Sequence, residues 1–492
     1  MEETLAIFVA MLRRVINYHD SVAHRLPPEI LAIIAFQLGD AESLVIAARV
    51  CHLWRSTFLS SPHLWSHLAF ENERRALVFL ERSGSASISV DLTGNMGPSK
   101  LARETLKGVT NRLTALRGEY DSFLDEFLAE SPPMLRSLDT FQCLHEPRKQ
   151  STQSLLSLRS LAITDLGCHF FHVPRLTNFL FELVYRSRVP ESDLIDFFRT
   201  CSLLEVIFLR YSDPNGDVGS TTSGASTDTV SLPHLRSFTH ESQTDAVHVS
   251  LFDRLSPPPT CDIAFTTAVV IAEGPWNHGF PAPREPSYLS DIKMVKATAG
   301  VETEVGFLPL IFRTEFLSSN NGRVLFNTRS AIRPRFSLAI GKLLDFLESS
   351  GVIHSIEVLH FECHPEYPPG GWEASDLTSQ LQRFYNLKSL VLLQCDPFYF
   401  LRNPTPPGVW RSSVERLEIR PRPRRYEGEP TEEPVLGWVH EIAMSRQKHG
   451  APLKAVTLFC RDAKKKLSQE YSRWMDDLDG FVESVQVHES GV

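Results

Sequence analysis

The chain has 492 residues and a formal net charge of −9, with 50 Lys and Arg against 59 Asp and Glu, and it is 42% hydrophobic and 22% charged. That length can bury one large core or several small ones. The acidic balance argues against a nucleic-acid protein, whose phosphate-binding surface needs clustered Lys and Arg. Eight cysteines stand singly with no Cys-x-x-Cys pair, which favours reduced thiols in cytosol or nucleus over a disulfide framework or a zinc site.

The first residues, MEETLAIFVAMLRR, put acids before an apolar run and bases after it, unlike a secretory signal. No apolar run approaches the ~20 residues of a membrane span. Leu5, Phe8, Val9, Leu12 and Ile16 fall at helical spacing. Residues 1–22 are therefore predicted as a helix that packs on the following segment.

Residues 26–65 read LPPEILAIIAFQLGDAESLVIAARVCHLWRSTFLSSPHLW. Pro28 suits the first helical position, and Glu29 suits the positive end of the helix dipole. Ile30, Leu31, Ile34 and Leu38 then share one stripe. Gly39 can end that helix with a left-handed cap, and Asp40 can cap a second helix. The inner face of that second helix is Leu44, Ala47, Ala48 and Cys51. A third short helix carries Leu53, Trp54 and Phe58 and stops at Ser61-Pro62. Three short helices cannot bury this many large side chains among themselves, so part of their surface is expected to dock another protein.

From about residue 110 the texture changes. Segments of the form Pro-x-Leu-x-x-Leu-x-hydrophobic recur at 133–141, 157–163, 174–181, 203–209, 233–239, 355–361, 386–393, 413–419 and 452–458. Each reads as a short strand, with helical patterns between several of them, such as ESDLIDFFRTC at 191–201. A strand-plus-helix unit repeated at loose intervals points to a leucine-rich-repeat-like solenoid. Three stretches break the pattern and read as loops: 211–231, 273–289 and 420–434. The span 240–350 has no clear repeat phase. The segment KKKLSQEYSRWMDDLDGFV is predicted as a capping helix.

Leu26-Pro27-Pro28-Glu29-Ile30-Leu31, then Arg49-Val50-Cys51-His52-Leu53-Trp54-Arg55, then Pro62-His63-Leu64-Trp65 resemble, in order and spacing, an F-box. The downstream pattern resembles the divergent leucine-rich repeats of the F-box proteins that fungi carry in large families. The fold class expected is α/β: an all-α F-box module within 1–70 (core about 24–68), then an irregular repeat arc over 71–492. The resemblance implies a substrate-receptor subunit of an SCF-type ubiquitin ligase. In it the F-box packs on a Skp-type adaptor that leads to a cullin scaffold, and the arc binds a protein substrate. It also implies that Leu26, Pro27, Ile30, Leu31, Ile34, Val50, Cys51 and Trp54 make the adaptor contact.

Other constellations have plainer readings. His360, Glu362 and His364 alternate in VLHFECHPE and would line one face of a strand. Two imidazoles and a carboxylate suit zinc, but a polar outer face over a buried Leu359/Phe361/Cys363 row explains them as well. Cys168, His169 and His172 in GCHFFH read as a repeat loop with Phe170 and Phe171 buried. The Arg411–Arg425 cluster could receive an acidic or phosphorylated motif, yet it is followed by EGEPTEEP and reads as a solvated loop. Trp276, Trp372 and Trp410 sit in Pro/Gly-rich stretches. No phosphate loop, GxGxxG, HExxH or GxSxG elbow occurs. The expectation is a non-enzyme without cofactor, membrane or nucleic-acid partner. A scaffold bound to the adaptor but not used for ubiquitin is the alternative, and a metal-dependent enzyme at His360, Glu362 and His364 a remote one.

Overall fold

The computed structural model describes residues 7–13, 15–16, 26–38, 41–93, 99–119, 121–141, 153–165, 171–183, 191–211, 229–242, 251, 254–269, 292–301, 310–318, 323–330, 347–348, 351–363, 383–395, 413–421, 433–448, 450–460 and 469–489. The chain divides into two compact units, Met1–Leu176 and Thr177–Val492.

The first unit begins with a helical segment at residues 7–13 and 15–16, then α1 (Pro28–Gln37), α2 (Ala41–Ala47) and α3 (His52–Leu59). Pro28 takes the first turn of α1, where its missing N–H costs nothing. Ser61-Pro62 ends α3 and opens a single 3-10 turn, Pro62–Trp65. Gly39 and Asp40, read above as caps, lie outside the described residues.

Strands and helices then alternate: β1 (His67–Ala69), α4 (Glu73–Arg82), β2 (Ile88–Asp91), α5 (Lys100–Lys107), β3 (Leu113–Glu119), α6 (Ser122–Ala129), β4 (Ser137–Phe141) and β5 (Ser160–Thr164). Each strand pairs parallel with the next in the chain, from β1 to β5. The three helices are short but well capped. Asn72 Oδ1 accepts from Arg75 N at 3.1 Å, Ser99 Oγ from Ala102 N at 3.3 Å and Asp121 Oδ1 from Leu124 N at 2.8 Å. Between helices and strands the core holds Phe79, Leu80, Ile88, Val90, Leu116, Phe127, Leu138 and Ile163, all buried.

The second unit contains β6 (Asn178–Leu183), α7 (Glu191–Thr200), β7 (Val206–Tyr211), β8 (Ser237–Ser242) and β9 (Asp262–Val269). Then follow β10 (Ile292–Val301), β11 (Leu310–Ser318), β12 (Arg323–Ser330), β13 (Val358–Cys363), β14 (Ser389–Cys395) and β15 (Arg416–Pro421). It closes with α8 (Glu433–Lys448), β16 (Leu453–Cys460), α9 (Gln469–Phe481) and β17 (Val482–Glu489). Strands β6 to β9 pair in sequence and parallel, as do β13 to β17.

Between these two runs the order is different. Strand β9 pairs parallel with β12, β12 antiparallel with β11, β11 antiparallel with β10, and β10 parallel with β13. A three-stranded meander thus occupies the span that shows no repeat phase. The expected helix near the C-terminus forms as α9, but the chain then adds β17, so that helix does not close the unit.

All nine segments singled out by pattern contain strands. In four of the motifs a leucine belongs to the turn before the strand. Leu135 N donates to Pro132 O at 3.2 Å, Leu158 N to Leu155 O at 3.2 Å, Leu204 N to Cys201 O at 3.2 Å and Leu235 N to Leu232 O at 3.1 Å. All four leucines are buried. The next backbone N–H reaches back to the preceding strand's start, as from Arg159 to Arg136 O, Arg236 to Glu205 O and Lys454 to Glu415 O, each at 2.8 Å. A buried leucine and a satisfied backbone at the same point of successive strands explain why Leu-x-x-Leu recurs where pleat alternation alone would not require it.

The predicted loops 211–231, 273–289 and 420–434 lie outside the described residues apart from 211, 229–231, 420–421 and 433–434, which fall in or beside ordered strands and a helix.

Candidate functional site

Helices α1 and α3 pack on each other around Leu31 and Phe58, both 0% exposed. The buried residues of α1 are Leu31, Ala32 and Ala35. The expected stripe of Ile30, Leu31, Ile34 and Leu38 is therefore corrected by one position. Every residue from Ile30 to Phe36 is apolar, so periodicity cannot select a face. The helix turns Leu31, Ala32 and Ala35 inward and leaves Ile30, Ile33 and Ile34 outside.

Of the residues assigned to the adaptor contact, Pro27, Ile30, Ile34 and Val50 are exposed, Val50 by 64%, while Leu26, Cys51 and Trp54 are half-buried. Leu31 is the exception. Fully enclosed, it supports α1 from beneath and offers no surface to a partner in this conformation. Pattern reading missed Ile33, Phe36 and Ile46, exposed by 56%, 65% and 58%. The signal for them was available: α1 has more large apolar residues than one buried stripe accommodates. On α1, Ile30, Ile33 and Ile34 share a face by their i, i+3, i+4 spacing.

The closing Pro62-His63-Leu64-Trp65 has a structural role. Trp65 is 0% exposed, and its Nε1 donates to Phe58 O at 2.8 Å. Its ring meets Phe79 of α4 edge-on at 4.9 Å and 82°, under the Arg82 guanidinium at 4.7 Å. Arg55 Nε donates to Ala48 O at 3.3 Å, tying α3 to the end of α2. The module thus packs against the first strand–helix unit through Trp65, and its isoleucine face stays in solvent. The N-terminal helical segment does not cover that face. Phe8, Val9, Leu12 and Ile16 are themselves exposed, Phe8 by 58%, contrary to the packing expected of them. Leu5 lies outside the described residues.

The remaining constellations resolve individually. On β13, Leu359 and Phe361 are 0% exposed, and His360 Nε2 lies 3.9 Å from Glu362 Oε2 on the other face. His364 lies outside the described residues, and among the described residues no three His, Cys, Asp or Glu converge as metal ligands. Phe171 is buried and His172 exposed. Cys168, His169, Phe170, Trp276, Trp372, Trp410, Arg411, Arg422, Arg424 and Arg425 lie outside the described residues. Arg416 is exposed, and the Arg420 guanidinium stands 5.1 Å over the Phe459 ring. Cys51, Cys201 and Cys261 are thiols rather than disulfides, and Cys201 Sγ lies 3.6 Å from Thr200 Oγ1. Burial pushes Cys201 up to about 11 and Cys261 up to about 12, so neither is a nucleophile near neutral pH.

Compared with known proteins, residues 23–71 match the family described as F-box-like. No curated protein and no solved structure matches the chain. F-box domains generally bind Skp-type adaptors, and the matched residues are those that leave Ile30, Ile33, Ile34 and Val50 in solvent. The chain therefore carries an F-box-like domain at residues 23–71, with its outer apolar face uncovered.

Proposed function

We propose that this chain is a substrate-receptor subunit of an SCF-type ubiquitin ligase, acting in cytosol or nucleus. The observation that carries the reading is the uncovered isoleucine face of the F-box-like domain. Ile30, Ile33, Ile34, Phe36, Ile46 and Val50 are all more than one-third exposed. Apolar side chains set on one helix face are what a partner groove accepts. On this reading a Skp-type adaptor covers that face and links the chain to a cullin scaffold.

The strand-and-helix units after residue 71 are read as a divergent leucine-rich-repeat arc that binds a target protein. Support comes from the sequential parallel strands and from the buried turn leucine that precedes them. The chain then contributes no catalytic group. Its effect is proximity, holding target lysines near the ligase's ubiquitin donor.

The test is affinity purification of the tagged chain from its own cells beside an Ile30→Asp/Ile34→Asp variant, with mass spectrometry of bound proteins. Adaptor and cullin present with wild type and lost with the variant support the proposal. Adaptor without cullin points instead to a scaffold bound to the adaptor alone. Neither protein with wild type defeats both readings.

A further inference from the structure

Lysine and arginine are unevenly divided along this chain. Of its 50 cationic residues 38 are arginine and 12 are lysine, and all 12 lysines lie within residues 100–149 and 293–466. Residues 1–99 and 150–292 carry 17 arginines and no lysine. At the ratio found in the rest of the chain, 12 lysines to 21 arginines, about six of those 17 would be lysine. The depletion is therefore regional and not a bias of the whole sequence.

The ion pairs do not require it. Arg236, just before β8, donates its N–H to Glu205 O at 2.8 Å, and its guanidinium lies 3.8 Å from the Glu205 carboxylate. Lys388 before β14 repeats the arrangement with Glu357, and Lys454 at the start of β16 repeats it with Glu415. In both, the N–H reaches the carbonyl at 2.8 Å and the ammonium reaches the carboxylate at 2.8 Å. One structural position in the second unit thus takes either cation. The Arg236 side chain is 80% exposed, so nothing encloses the planar fork that distinguishes a guanidinium from an ammonium. Arg74 of α4, in the first lysine-free stretch, is likewise exposed.

From the regional absence of lysine and the equivalence of Arg236 with Lys388 and Lys454, we propose that residues 1–99 and 150–292 stand within reach of the ligase's ubiquitin donor, and that arginine in place of lysine keeps the chain from being modified there. In the step avoided, a neutral lysine amine attacks the carbonyl carbon of a ubiquitin thioester. The donor's thiolate leaves, and the nitrogen loses a proton as the isopeptide bond forms. A guanidinium stays protonated and does not attack. A receptor is held beside the donor as closely as its target is, so its own lysines would compete with the target's. The inference rests on the reading of this chain as a receptor subunit.

The test adds single lysines to the tagged full chain in its own cells. Arg74→Lys and Arg236→Lys keep the charge and supply an amine, whereas Arg236→Gln removes the Glu205 pair without supplying one. Extracts made with the proteasome blocked are read by mass spectrometry for the ubiquitin remnant on lysine, and half-life is read after translation is stopped. The remnant is expected at position 74 or 236 of the matching variant, with the half-life shortened roughly twofold or more, while Arg236→Gln keeps the wild-type half-life. Adding Ile30→Asp/Ile34→Asp should remove the remnant at both positions. Unmodified lysines beside recovered adaptor and cullin would overturn this inference and leave the receptor reading standing. A remnant that persists with Ile30→Asp/Ile34→Asp would overturn it too, since the amine would then be reached by another route. If wild type recovers neither adaptor nor cullin, the receptor reading and this inference fall together.

Discussion

The F-box-like domain and the strand units use apolar residues in opposite ways. In the strands, large side chains go inward: Phe179, Phe181, Phe238 and Phe361 are each buried to 1% exposure or less. In the domain, Leu31, Ala32 and Ala35 form the inner face of α1, and Ile30, Ile33 and Ile34 stay outside. The domain also buries Phe58 and Trp65, yet it leaves Ile30, Ile33, Ile34, Phe36, Ile46 and Val50 exposed, a density of large apolar surface that stability alone does not favour. On the proposed reading, the difference separates two purposes that composition does not distinguish, one region built to hold itself together and the other to be completed by a partner.

The comparison is sharpest where the two regions join. Trp65→Ala removes the indole, its bond to Phe58 O and the edge contact to Phe79, and should cost about 3–5 kcal/mol by denaturant unfolding. A shift under about 1 kcal/mol would mean that the domain is not anchored there. Within α1, Leu31→Ala should cost about 2–5 kcal/mol, whereas Ile33→Ala should stay within about 0.5 kcal/mol. Adaptor affinity should respond in the reverse order once both variants are compared well below their melting temperatures. Equal stability losses would break the assignment of inner and outer faces.

The strand core has its own acid limit. His240 is 5% exposed, lies 5.3 Å from the Tyr211 ring, and is pushed down to about 4 by burial. A histidine favoured neutral in the fold contributes stability above the unfolded value near 6.5, which is lost as pH falls toward 4. The loss should be on the order of 3 kcal/mol, and His240→Phe should flatten the stability profile between those pH values. An unchanged slope would place the acid sensitivity elsewhere. A smaller effect is expected at Gly118, where an added Cβ would meet Leu92 Cβ at 3.0 Å. Gly118→Ala should cost about 1–3 kcal/mol in thermal unfolding, and no cost would mean that β3 shifts freely.

The strand core was largely legible from sequence because its turn leucine and alternating strand repeat in a fixed order. Legibility failed for physical reasons at three places. Strands β1 to β3 and helices α4 and α5 are short units that rely on single caps such as Asn72 and Ser99, and these escape a search for repeated leucines. The β10–β12 meander satisfies its backbone with antiparallel neighbours, so no turn leucine marks it. In α1 the apolar residues go all round, which hid from periodicity which side is buried and which stays exposed. Of the residues expected at the adaptor contact, Ile30, Ile34 and Val50 are exposed and Leu31 is enclosed, while Ile33 and Phe36 are exposed beside them.

The most direct measurement is calorimetric titration of the purified full chain with a purified Skp-type adaptor, beside the Ile30→Asp/Ile34→Asp variant. Wild type should bind one adaptor per chain, and the variant should show no measurable heat while unfolding at the wild-type temperature. A variant that binds as well as wild type, or a wild type that does not bind, would contradict the claim that the uncovered face of the F-box-like domain is a docking surface.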